Sequence, residues 1–280
     1  MLRMHLVVVF FCLDFGEIEN MKKSRWILFA VVLSFFYGNQ ARAHFGMMIP
    51  SDSMIMQGES RTVNLMVSFS HPFERVGMPL EKPRVMAVFH DDKAQDLLGT
   101  LKEISFEEEK AWGLEYRINR PGIYQFYMEP MPYWEPAEDC FIIHHTRTVV
   151  AAFGDDENWD GEMGLKTEIV PLSKPFGLYA GNLFQGIVKL DGRPVPFARV
   201  EIEYDNREGN VQAPTDYMVT QTVKADQNGL FSYTVPGPGW WGFSALNTAD
   251  YKLKMNGEEK DVELGAVLWV RFHEWKETTK

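Results

Sequence analysis

The sequence predicts an all-β protein of two β-sandwich domains, and three observations carry the prediction. Apolar and polar residues alternate over strand-length runs, turn residues recur between those runs, and no segment sustains a helical period. Arg61 to Ser70 is the clearest run, with Leu65, Val67 and Phe69 on one face and Asn64, Met66, Ser68 and Ser70 on the other, the period of a half-buried strand. Arg84 to His90, Trp112 to Ile118 and Asp139 to Phe153 read the same way. Gly122 to Met128 follows Arg120-Pro121, a turn opening into an aromatic-rich strand. These runs make a first domain, 44–172.

A boundary is expected between Pro171 and Gly181, where Pro175 and Gly177 add further punctuation. The second domain, 181–273, begins with a strand from Leu183 to Leu190, turns at Asp191-Gly192 and returns from Pro194 to Ile202. Val223 to Tyr233 places another tight turn between strands. Short strands between turns fit immunoglobulin-like sandwiches. The second half resembles the small transthyretin-like and carboxypeptidase-regulatory sandwiches, a likeness that speaks to fold and hardly to function.

Ahead of these domains, residues 1–43 read as leader and signal peptide. Met21-Lys22-Lys23-Ser24-Arg25 supplies a positive start, Trp26 to Tyr37 a short apolar stretch and Ala41-Arg42-Ala43 a small-residue exit. Met21 is the expected true start, and cleavage after Ala43 exports a chain that begins at His44. A lipidated Cys12 is disfavoured because Val9-Phe10-Phe11 lacks small residues. The whole chain carries a net charge of −11, and removing the leader makes it −13. Such a surface repels nucleic acid and anionic lipid. Only Cys140 then remains, so no intrachain disulfide forms and the fold rests on its core.

An amino-terminal His44 brings an α-amine and an imidazole that can chelate one divalent ion. Of the other histidines, His71 continues the Leu65, Val67, Phe69 face just before Pro72 stops the strand. His144 and His145 are consecutive in a strand, so they face opposite sides and only one can join a shared site. His90 beside Asp91-Asp92 and His273 in a charged tail read as solvated. Met47, Met48, Met54 and Met56 could offer thioethers to Cu(I), but core packing explains them better. Tyr133-Trp134-Glu135-Pro136 and Trp240-Trp241 read as packing in preference to a sugar platform.

Enzyme signatures are missing from this pattern. There is no Gly-x-Ser-x-Gly elbow, no Gly-rich phosphate loop and no His-Glu-x-x-His helix. Cys140 has no partner cysteine, and the acidic runs at 107–109 and 155–157 read as solvated loops.

His44-Phe45-Gly46-Met47-Met48-Ile49-Pro50-Ser51-Asp52, Ser70-His71-Pro72-Phe73-Glu74, the segment from Pro130 to Asp139 and Gly239-Trp240-Trp241-Gly242-Phe243 together resemble one family. It is the NikK-like family of periplasmic components associated with energy-coupling-factor (ECF) nickel and cobalt importers, and the likeness runs from His44 to about Phe272. The resemblance implies a non-enzymatic periplasmic protein that binds Ni²⁺ or Co²⁺ and serves a membrane ECF-type transporter, without nucleic acid. Carried over by position, it points to His44, His71 and His144, although His145 stands where the family usually has an aromatic residue. Nitrogen ligands would hold Cu²⁺ more tightly still. Two other expectations stay open: a copper protein or histidine-brace copper oxidase built on His44, and a structural envelope sandwich whose histidines bind nothing.

Overall fold

The computed structural model describes residues 44–277, so the leader and its cleavage site lie outside the described residues. The chain is almost entirely β, in three sheets. In the first, Phe45–Pro50, Thr62–His71, Glu109–Arg117 and Lys102–Phe106 lie side by side and antiparallel, with Val76–Met78 added to the end of Thr62–His71. The second is long and runs through both halves of the chain. Its centre is Glu258–His273, which pairs antiparallel with Gly239–Thr248 and parallel with Cys140–Ala152. The third contains Thr167–Pro171, Leu183–Leu190, Arg193–Pro194 and Leu230–Thr234.

Two cores follow from this layering. Val63, Leu65, Val67 and Phe69 alternate inward against Met86, Val88, Phe126, Ile142 and Val150 of the long sheet. Phe184, Val188 and Phe231 pack against Val200, Ile202, Phe243, Leu268 and Val270 farther along that same sheet. The expected runs appear within a few residues of their predicted limits: Arg61 to Ser70 is the strand Thr62–His71, and Asp139 to Phe153 is Cys140–Ala152. Among the described residues no helix is long and apolar enough to cross a membrane.

Three local expectations are corrected. The stretch 171–181 follows the first strand of the second sandwich, because Thr167–Pro171 pairs with Leu183–Leu190 and buries Ile169 in the second core. The hairpin at Asp191-Gly192 closes only two pairs, Leu190 with Arg193 and Lys189 with Pro194. Pro194 and Pro196 lack the N–H donors needed to extend the ladder, and the chain crosses to the long sheet as Arg199–Tyr204. His90 and His273 are half-buried strand ends, not residues of a loop or tail. The His90 ring stacks on Tyr124 at 4.0 Å.

The turn after His71 is stapled to the second half of the chain. The Phe73 N–H donates to the Glu203 carboxylate at 3.3 Å, the Thr220 hydroxyl donates to the other Glu203 oxygen, and the Asn206 amide donates to the Phe73 carbonyl. Burial pushes the Glu203 carboxyl up to about 8, against the hydrogen bonds from Thr220 and Phe73 that favour its charged form. A folded-state pKa above the unfolded value contributes stability that is complete below the unfolded value near 4.5 and is lost as pH rises through about 8. Glu203→Gln is therefore expected to stabilise the fold by about 1–3 kcal/mol at pH 8 and to give little or nothing at pH 4.5. Urea unfolding at the two pH values measures the difference.

Candidate metal centre

Strand register brings His44 to His71. Phe45 pairs with Ser70, so the residue before Phe45 lies beside the last residue of Thr62–His71. The two imidazoles are 4.7 Å apart between ring centres and tilted by 48°. Phe69 joins them to the third predicted residue. Its ring lies 5.8 Å from His44 in a stacked arrangement and meets His144 edge-on at 5.7 Å. His44, His71 and His144 are 8%, 6% and 1% exposed, with His44 and His71 in direct ring contact and His144 reaching them through Phe69.

Alternation along Cys140–Ala152 separates the histidine pair. His144 looks toward His44 and Phe69, whereas His145 takes its electrostatic influences chiefly from Glu129, with His144, Arg84 and Lys166 opposing. Burial holds the His145 imidazole below its usual range. It belongs to packing on the opposite face.

Carboxylates flank the cluster. His44 Nε2 is 3.0 Å from Glu135 Oε2, and His144 Nε2 is 3.4 Å from Glu263 Oε1. The His144 Nδ1 accepts the Gly46 N–H at 3.2 Å. Burial, followed by the neighbouring His144, lowers the His44 imidazole pKa, while Glu135 opposes the shift. For Glu263 burial alone would raise the carboxyl, but the His144 hydrogen bond and charge, then His44, bring it below the usual value. The His44 shift favours its neutral ring and the Glu263 shift favours an ionised carboxylate. Cys140 is pushed up to about 12 by burial and by Glu263, Glu138 and Glu135, which leaves its thiol protonated and poorly nucleophilic.

The side chains gathered here offer nitrogen and oxygen atoms, without thioethers. Met47 and Met48 are fully buried in separate cores, and the Met47 sulfur accepts the Ser70 hydroxyl. Met56 is exposed, while Met54 packs beside Phe176 and Trp159. Among the described residues, no group of three or more His, Cys, Asp or Glu side chains is placed to hold a metal ion by itself. A small cavity of about 40 Å³ borders Phe69, Tyr133 and His144, and neither His44 nor His71 lines it.

Close backbone packing holds His144 in place. An added Cβ on Gly265 would strike its ring, and one on Gly46 would stand 3.0 Å from the His144 Cβ and collide with the Thr146 hydroxyl. Two glycines thus make the slot that this imidazole fills.

Sequence reasoning missed Glu135 and Glu263. Glu135 sits in Tyr133-Trp134-Glu135, which reads as aromatic packing, and Tyr133 does pack on Phe69. Glu263 stands 119 positions from His144 and reaches it only because their strands pair in parallel. No local motif announces such a pairing.

Residues 41–249 match a family model described as a domain of unknown function, DUF4198. The chain belongs to this family. No curated protein sequence matches this DUF4198 chain. Among solved structures, it is similar to the D0-D1 domain of intimin at 11% identity and a TM-score of 0.22, over 81% of this chain and 99% of that one. It is also similar to trypsin-activated alpha-2-macroglobulin from Escherichia coli (8% identity, TM-score 0.24, 81% of this chain and 16% of that one). The Yersinia pseudotuberculosis adhesin InvE is similar at 10% identity and a TM-score of 0.23, over 82% of this chain and 61% of that one.

Proposed function

We propose that this DUF4198 protein binds a divalent metal ion, Ni²⁺ or Co²⁺, at the cluster of His44, His71 and His144, and serves an ECF-type importer as a periplasmic, non-enzymatic component. The observation that supports the reading is the convergence itself. Three imidazoles from positions 44, 71 and 144 lie buried together, with ionisable carboxylates within 3.0 and 3.4 Å of two of them. A purely structural sandwich has little reason to bury three imidazoles near two half-buried carboxylates. The second sandwich acts as spacer or docking module.

The test is isothermal titration of Ni²⁺ into the chain beginning at His44, and into the same chain with one alanine placed before it. The first is expected to bind one ion, and the second to bind at least about tenfold more weakly, roughly 1.4 kcal/mol, because its terminal amine is displaced from the chelate. No binding by either chain overturns the reading. The adjacency of His44 and His71 also favours a second reading, a copper centre of one amine and two imidazoles. Copper-dependent oxygen consumption by the processed chain separates that reading from metal carriage.

A further inference from the structure

The hydrogen bonding of His144 divides the cluster into groups that can hold a metal and groups that hold the ligands in place. A main-chain N–H only donates, so the Gly46 N–H obliges His144 Nδ1 to accept. The ring proton of the neutral imidazole then lies on Nε2 and points to Glu263 Oε1 at 3.4 Å. Both nitrogens are engaged, in a slot between Gly46 and Gly265 that leaves the residue 1% exposed. Turning the ring toward an ion would break the Gly46 bond and drive the ring into backbone. His44 is arranged differently. Its Nε2 faces Glu135 at 3.0 Å, which assigns the proton to that nitrogen and the lone pair to Nδ1. Nδ1 is the ring nitrogen that closes a six-membered chelate with the α-amine of the same residue.

We infer that the metal takes its protein nitrogens from two histidines only, His44 through its amine and Nδ1 and His71 through its ring, and that His144 and Glu135 are positioning residues. His144 fixes the start of Phe45–Pro50 through the Gly46 N–H, and so fixes where His44 stands. Glu135 sets the His44 tautomer. Glu263, 25% exposed and held by His144, supplies negative charge beside the site. This assignment rests on the metal-binding reading above and refines it.

Proton NMR of the Co²⁺-loaded chain beginning at His44 tests the assignment, because each ligating imidazole gives its own paramagnetically shifted ring signals. The wild type is expected to show signals from two histidines, His144→Gln to keep both sets with affinity reduced about threefold to tenfold, and His71→Gln to lose one set. Should His144→Gln fail to fold, Glu263→Gln, which removes the negative charge and leaves the ring, is expected to keep two sets as well. Three sets in the wild type, falling to two in His144→Gln, overturn this inference and leave the metal-binding reading standing. Two sets that survive in His71→Gln overturn it equally. A wild-type chain that takes up no Co²⁺ overturns both.

Discussion

His71→Ala is expected to weaken Ni²⁺ binding to the processed chain at least tenfold, and His44→Ala at least as much. Each substitution deletes a donor from the amine and imidazole set, and tenfold corresponds to roughly 1.4 kcal/mol. The frame should survive, because His71 is the last residue of its strand and the inward face of that strand is carried by Val63, Leu65, Val67 and Phe69. Circular dichroism of each variant checks the frame, and titration reads the affinity. Unchanged affinity in both variants removes the site. The pH dependence has a stated sign as well. Burial holds the His44 imidazole below its ordinary range, so protons compete for that ring only at lower pH, whereas an amine of reference pKa about 7.7–8.0 is contested first. Affinity should therefore decline gently as pH falls through the amine range and steeply below about 6.

The same lowered pKa links acid to folding. A histidine whose folded pKa is depressed favours the unfolded, protonated chain once pH falls below the unfolded value of 6.5, so His44 and His145 each withdraw stability there. At neutral pH neither carries that penalty. Bound metal would oppose the loss at His44 and leave it untouched at His145, which lies on the other side of the strand.

The two-residue period made much of the fold legible before any coordinates. It placed His71 on the Phe69 face and set His144 opposite to His145, because a strand leaves a side chain only two directions. Partner choice stayed hidden. Nothing within Cys140–Ala152 or Glu258–His273 says that they pair in parallel and fuse two sandwiches through one sheet, yet that pairing delivers Glu263 to His144. The hairpin turn at Asp191-Gly192 formed, but its expected return strand to Ile202 did not, since turn chemistry is local and the crossing of Arg199–Tyr204 to another sheet is not. The likeness of short motifs pointed to the three histidines, whereas the carboxylates that orient two of them required tertiary structure.

The largest expected effect on stability lies at Trp269. Its side chain is fully buried between the outer face of Phe45–Pro50 and the long sheet, packed edge-on to Phe45 at 5.9 Å, and its indole N–H donates to the Gly46 carbonyl at 2.8 Å. Gly242 permits this close approach: a Cβ there would lie 2.8 Å from the indole and 2.9 Å from Phe45. Trp269→Ala is expected to cost about 3–5 kcal/mol, from the lost burial and the cavity left behind. Trp269→Phe keeps most of the apolar contact and orphans the Gly46 carbonyl, for about 1–2 kcal/mol. Gly46 is bound on both sides, by Trp269 at its carbonyl and by His144 at its N–H, so these two side chains together hold the strand that begins beside His44. The Phe variant is therefore expected to lose Ni²⁺ affinity about threefold although Trp269 is not itself a ligand. Denaturant unfolding and metal titration of the two variants measure both effects, and a Phe variant that loses stability while keeping full affinity would show that anchoring of Phe45–Pro50 does not govern the site.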